Sequence, residues 1–206
     1  MAEIIILDYG MGNLGSVFNM FKKIGINAKV SSNIKEIENA KKILLPGVGA
    51  FDTAIQKIED NNFSEILNYK AKEEKIPILG ICLGMQLLTN KSEEGNLAGF
   101  GWIDAETKKF KFKLEDNLKI PHMGWNYVIK NNESPLIEQI TENSKFYFVH
   151  SYYVQANDNN SSIMKAQHGH HFDAIISNGE NIFGAQFHPE KSHKFGMQLL
   201  LNFAKL

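Results

Sequence analysis

The chain has 206 residues, 43% of them apolar, with 22 Lys+Arg against 23 Asp+Glu, a formal net charge of -1 and a single cysteine. This length and apolar share suit one sizeable core, so a single domain over residues 1–206 is expected. Every cation is a lysine, which removes the bidentate guanidinium fork, and without a basic block the composition argues against a nucleic-acid partner.

No apolar run approaches the roughly 20 residues that span a bilayer. Met1-Ala2-Glu3 leads straight into an apolar strand without a basic region or cleavage site, so neither a membrane span nor a secretory leader is expected. One cysteine cannot build a disulfide framework, which fits a reducing cytoplasm.

In chain order, residues 4–7 predict a strand, 17–24 a helix and 26–30 a strand, followed by a helix capped by Asn33 with Glu36 three residues on. Residues 42–45 and 76–81 predict further strands around a helical region over 51–75. This alternation implies an α/β fold with an open, largely parallel central sheet flanked by helices. Catalytic groups then belong at the carboxyl ends of the strands. The second half reads as added antiparallel strands over 107–114, 127–129, 146–153, 163–167, 174–177 and 182–187. Residues 157–162 predict a turn, and residues 192–203 a closing helix with Phe195, Leu199 and Phe203 on one face.

Gly80-Ile81-Cys82-Leu83-Gly84 holds the cysteine between two glycines directly after the apolar run 76–79. That pattern reads as a nucleophile pushed out at the sheet's edge on a strand-to-helix elbow, where a helix N-terminus favours the thiolate. Taken alone, a cysteine in an apolar stretch is more often a buried small hydrophobe than a catalyst. Phe187-His188-Pro189-Glu190 favours the first reading. Pro189 keeps His188 out of helical geometry, and an extended segment would put Glu190 on the same side as His188, where its carboxylate can orient the imidazole. Cys82, His188 and Glu190 thus compose a candidate triad.

Leu44-Leu45-Pro46-Gly47-Val48-Gly49 ends a strand in a glycine-flanked loop. Its backbone N–H groups at Val48 and Gly49, with that of Leu83, could face a developing oxyanion. The same loop is also compatible with an ordinary strand-to-helix turn, and it carries no phosphate-loop pattern. His168, His170 and His171 have no cysteine or carboxylate at ligand spacing, so they predict a turn around Gly169 and no metal site. No cofactor is expected.

The Pro46–Gly49 loop, the Gly80–Gly84 elbow and His188-Pro189-Glu190 together resemble the triad, or class I, glutamine amidotransferases. Motifs over residues 8–14, 45–51, 80–88, 121–126, 147–153 and 186–192 are most similar to the glutaminase subunits of imidazole glycerol phosphate synthase. The resemblance implies the family's flavodoxin-like fold. It makes Cys82 the nucleophile toward L-glutamine, His188 the acid/base and Glu190 its orienter. It also makes Gly49, Gln86, Glu94, His150, Ser151 and Tyr152 the glutamine site, with backbone N–H groups holding the α-carboxylate in the absence of arginine. By its own spacing, Glu94 reads as a solvated charge after Glu93.

Met11, Asn13, Met123, Trp125 and Lys191 match positions facing a (β/α)8-barrel synthase partner. From the residues alone Trp125 could instead be core and Met11 a gap filler. The implied destination of the ammonia is the synthesis of imidazole glycerol phosphate and AICAR in histidine biosynthesis. Paralogous subunits that feed the amidination of nucleotide-linked sugars carry the same motifs. A stand-alone cysteine hydrolase and a non-catalytic module are competing classes, disfavoured by Gln86 and by the intact triad.

Overall fold

The computed structural model describes residues 4–113, 115 and 117–206. Strand β1 (Ile4–Leu7) leads to helix α1 (Leu14–Lys23), β2 (Ala28–Ser31), α2 (Ile34–Glu38) and β3 (Lys42–Gly47). Helices α3 (Phe51–Asp60) and α4 (Ser64–Lys72) precede β4 (Ile78–Cys82) and the short α5 (Leu83–Leu87). Strands β5 (Lys91–Ser92), β6 (Ala105–Lys109), β7 (His122–Tyr127), β8 (Ile129–Lys130), β9 (Lys145–His150), β10 (Tyr152–Ala156), β11 (Ser162–His168), β12 (His170–Ser177) and β13 (Ile182–Ala185) follow, and α6 (His193–Lys205) closes the chain.

The parallel part of the main sheet runs β2-β1-β3-β4-β13, and β12, β10, β6 and β5 extend it. β1, β3, β4 and β13 are buried along their whole length, which explains their continuous apolar runs: helices cover both faces of a parallel sheet. One core layer contains Val17 and Phe21 of α1 with Leu199, Leu200 and Phe203 of α6. The other contains Ile37 of α2, Ala54 and Ile58 of α3 and Leu67 of α4. Each fully buried Leu or Phe contributes about 1.5–3 kcal/mol of transfer free energy. The predicted cap of α2 forms, with the Asn33 side chain accepting from the Lys35 N–H.

Several predicted elements change shape. The helical region 51–75 is two helices, because Asn62 takes φ +57° between them. The predicted strand 107–114 ends at Lys109: its partner β10 begins at Tyr152, and Phe110 turns inward against Phe112, His150 and Phe172. Leu114 lies outside the described residues. Residues 127–129 break at the buried Val128, and 146–153 break at Ser151. The second break has a consequence: β9 pairs only with β7 in a separate two-stranded ribbon, while β10 joins the main sheet. The turn at Gly169 forms as a tight connection between β11 and β12, with φ +74°.

β3 and β4 run in register through Gly47 and Cys82. Pro46 is tolerated there because β1 pairs only as far as Leu44, so its missing N–H faces no second strand. Glycines set the approach of α5 to these strands. A Cβ on Gly84 would lie 1.9 Å from the Leu45 carbonyl oxygen, and one on Gly80 would lie 2.5 Å from the Gly84 carbonyl oxygen. Gly84→Ala is therefore expected to destabilise the chain by more than about 3 kcal/mol or prevent folding, as read by urea denaturation.

Candidate active site

The chemically interesting side chains gather at the carboxyl ends of four adjacent parallel strands: Tyr9 after β1, Val48 and Gly49 after β3, Cys82 ending β4, and Gln186 and His188 after β13. Open α/β sheets place their ligand crevice at this end. Cys82 accordingly sits on a central strand, not at the sheet's edge. Its backbone takes φ +54° as the N-cap of α5, a region where a non-glycine residue is strained and which recurs at functional turns. Cys82 is 7% exposed and lines a cavity of about 320 Å³.

His188 and Glu190 meet through Nδ1 and Oε1 at 2.8 Å, with both side chains almost fully buried. The backbone reason differs from the extended segment expected. Pro189 starts a 3-10 turn over Pro189–Lys191, as proline's fixed φ allows at a first helical position. The Ser192 hydroxyl donates to the His188 carbonyl at 2.6 Å and accepts from the Tyr147 N–H at 3.0 Å, and the His188 N–H bonds the Tyr147 carbonyl at 2.9 Å. Ser192 thereby pins the turn that presents the imidazole.

His188 Nε2 has no hydrogen-bond partner of normal geometry among the described residues, although the Cys82 thiol lies close enough to act on the ring. Burial favours the neutral imidazole, but the neighbouring Cys82 and Glu190 outweigh it and push His188 up to about 10. The sulfur has two weak contacts, to the Val149 carbonyl at 3.9 Å and from Gln186 Nε2 at 3.8 Å.

Val48, Gly49, Leu83, Gln86, Glu94, His150, Ser151 and Tyr152 all line the same cavity as Cys82 and His188. Gln86 is held from both sides, donating to the Tyr152 carbonyl at 3.2 Å and to Gln186 Oε1 at 3.3 Å. Glu94 is not a freely solvated charge. Its Oε2 accepts from the Phe51 N–H at 2.9 Å, supplying the cap that Ala50 lacks at the start of α3. Burial raises its pKa, the Phe51 N–H lowers it, and nearby Asp52 adds to the rise.

Sequence reasoning missed four contributors. Gln186 is fully buried against the sulfur, and its position two residues before His188 in an extended run was the available signal. Pro121 and Val149 complete the wall. The Tyr9 hydroxyl donates to the Pro46 carbonyl at 2.7 Å, bracing the loop that leads to Val48 and Gly49. Burial raises the Tyr9 pKa, and the charge of Cys82 adds to it.

Of the residues predicted to face a partner, Asn13, Met123, Trp125 and Lys191 are exposed and Met11 is half-buried. Trp125 is therefore not core: it stacks on His193 with ring centroids 5.3 Å apart and meets Tyr147 edge-on. Lys191 Nζ lies 5.5 Å from the centroid of the same Tyr147 ring. Met11 reaches Gly49, whose hypothetical Cβ would lie 2.7 Å from the Met11 Cε. Among the described residues no cluster of three or more His, Cys, Asp or Glu could hold a metal ion.

Residues 5–206 match the family model described as glutamine amidotransferase class-I, and the chain belongs to that family. It is 52% identical to an imidazole glycerol phosphate synthase subunit HisH 2 of Methanococcus maripaludis, over 98% of each chain. It is 45% identical to the HisH 2 subunit of Pseudomonas aeruginosa, covering 98% of this chain and 99% of that one. With HisH of Leptospira borgpetersenii it shares 43% identity over 98% of each. Among solved structures, PurLQS from Thermotoga maritima matches with TM-score 0.72 at 16% identity, over 99% of this chain and 98% of that one. A crystal structure of a glutamine amidotransferase matches with TM-score 0.71 at 15% identity over the full length of both. The protein is a glutamine amidotransferase with a mixed α/β fold.

The raised His188 predicts a pH signature. A group whose folded pKa of about 10 exceeds its ordinary 6.5 contributes stability that is complete below 6.5 and is lost as pH rises toward 10. Urea midpoints should therefore fall between those values, and Glu190→Gln should flatten the fall because one of the two groups raising the pKa is gone.

Proposed function

We propose that this chain is the glutaminase subunit of an imidazole glycerol phosphate synthase, working in the cytoplasm and passing ammonia to a cyclase subunit of (β/α)8 form. The observation that carries the reading is the buried His188–Glu190 pair, whose His188 lines the same cavity as Cys82. The names of relatives at 43% to 52% identity over nearly the whole chain support the pathway.

In this reading the Cys82 sulfur attacks the side-chain amide carbon of L-glutamine. Val48, Gly49 and Leu83 offer backbone N–H groups to the oxyanion, each such donor contributing about 3 kcal/mol to the transition state. Protonated His188 gives its proton to the departing ammonia, leaving a glutamyl thioester. Water then attacks as His188 takes its proton, and glutamate is released. Glu190 holds the ring through Nδ1 at both stages. Glu94, His150, Ser151, Tyr152 and Gln86 surround the α-amino and α-carboxylate groups.

The partner reads Met11, Asn13, Met123, Trp125 and Lys191. Trp125 and Lys191 converge on Tyr147, whose backbone holds the His188 turn, so docking touches the same scaffold that presents the imidazole. In the same reading Met11, whose Cε would lie 2.7 Å from a Cβ on Gly49, brings a further docking residue against the oxyanion loop.

Cys82→Ala should lower ammonia release from glutamine by about a thousandfold or more in a coupled glutamate assay. Turnover of esters or peptides without turnover of glutamine would reject the reading. Trp125→Ala should weaken binding to the synthase chain by about 2 kcal/mol, roughly thirtyfold in Kd by calorimetry, while leaving the thermal midpoint close to that of the wild type.

A further inference from the structure

We infer that His122 is a positioning residue for the glutamine pocket: a one-way chain of hydrogen bonds from Asn126 through His122 and His150 to the Tyr152 carbonyl ties strand β7 to the pocket wall and keeps both imidazoles neutral with hydrogen on Nδ1. This rests on the glutaminase reading of the Cys82 cavity, of which His150 and Tyr152 form part.

The direction of the chain follows from its two ends. His150 Nδ1 lies 2.7 Å from the Tyr152 carbonyl, which has no hydrogen to give, so Nδ1 is the donor. In a neutral ring Nε2 is then an acceptor, and its partner is His122 Nδ1 at 2.9 Å. His122 therefore carries its hydrogen on Nδ1 and turns the Nε2 lone pair to Asn126 Nδ2, 3.1 Å away. The Asn126 amide cannot turn over, because Nδ2 also donates to the Gln167 carbonyl at 2.8 Å and Oδ1 accepts from the Tyr127 N–H at 2.8 Å. Each donor meets an acceptor in this one assignment. An extra proton anywhere along the chain sets two N–H groups against each other, either between the rings or at Asn126.

The surroundings reinforce neutrality. Phe148 and Phe172 pack on both rings, as does Phe110. The titratable neighbours that act on the pair are themselves imidazoles: His168, stacked on His122 with centroids 4.4 Å apart, and His188 from across the cavity. Burial, then the charge of His168, holds His122 at about 4. Burial holds His150 at about 3 against the Tyr152 carbonyl, with His122, His168 and His188 adding to the depression.

The chain continues past Tyr152. The same carbonyl accepts from Gln86, which donates on to Gln186, whose Nε2 faces the Cys82 sulfur. β7 has two sides: His122 is buried and Asn126 half-buried, while Met123, Trp125 and Tyr127 are exposed. A displacement of that exposed face reaches residues 150–152 through the His122–His150 bond.

Two readouts on the full chain test the assignment. His122→Phe keeps a ring in the aromatic packing but removes both hydrogen bonds. It should raise the KM for glutamine about tenfold with kcat changed less than about threefold, and should move the acid limb of kcat/KM upward as His150 Nε2 becomes free to take a proton. His122→Asn, whose amide can donate near the Nδ1 position, should recover most of the KM. A KM and pH profile for His122→Phe within twofold of wild type would overturn the proposal. So would ring 15N shifts of the wild-type protein that place the hydrogen of His122 or His150 on Nε2. The nitrogen spectrum needs neither the variant to fold nor the chain to turn over glutamine. Absence of wild-type turnover would sink the glutaminase reading alone, and the spectrum would still decide the hydrogen-bond chain.

Discussion

The close crossing of β3, β4 and α5 governs the rest of the molecule. Missing side chains at Gly80 and Gly84 let the short helix lie against both strands, with Gly84 packed on the Leu45 carbonyl. That approach lets Cys82 leave β4 at φ +54° and line the cavity. The strain is local and the support is global. Backbone leading to Cys82 is locked by strand pairing to β3 and β13, and backbone after it is held in α5, which opposes relaxation.

Around that fixed point the site is assembled by small polar restraints and not by ion pairs on the surface. Tyr9 holds the Pro46 carbonyl, Ser192 holds the His188 turn, and Gln86 bridges Tyr152 and Gln186. Each restraint is buried or half-buried, where a hydrogen bond is expensive to leave unmade and so defines a single geometry. The same economy explains Glu94, whose one carboxylate oxygen caps α3 while the residue faces the cavity. His188 and His150 line one pocket yet are driven to opposite protonation states. Cys82 and Glu190 favour the cation of the first, whereas burial among imidazoles favours the neutral form of the second.

The β7–β9 ribbon joins the two parts of the proposed function. One side carries the exposed Met123, Trp125 and Tyr127, and the other carries His122 onto His150 of the pocket wall. Tyr147 of β9 does the same from the next strand, with its ring under Trp125 and Lys191 and its backbone on His188. The proposed docking face is thus one residue away from the side chains that line and brace the cavity.

Local chemistry determined much of this from the sequence alone. Continuous apolar runs marked the parallel strands, glycines two residues either side of Cys82 marked the elbow, and His188-Pro189-Glu190 marked its partners, because these signals depend on near neighbours in the chain. What depended on distant neighbours was decided only by the tertiary structure. The break at Ser151 that sends β9 and β10 into different sheets, the end of β6 at Lys109 and the 3-10 turn at Pro189 follow from which strand was available to pair and which hydroxyl was available to cap. Gln186 beneath the sulfur and the His122–His150 bond bring together residues 104 and 28 positions apart. Spacing along a chain has no way to express such contacts, since they exist only once the sheet has set the distance between strands.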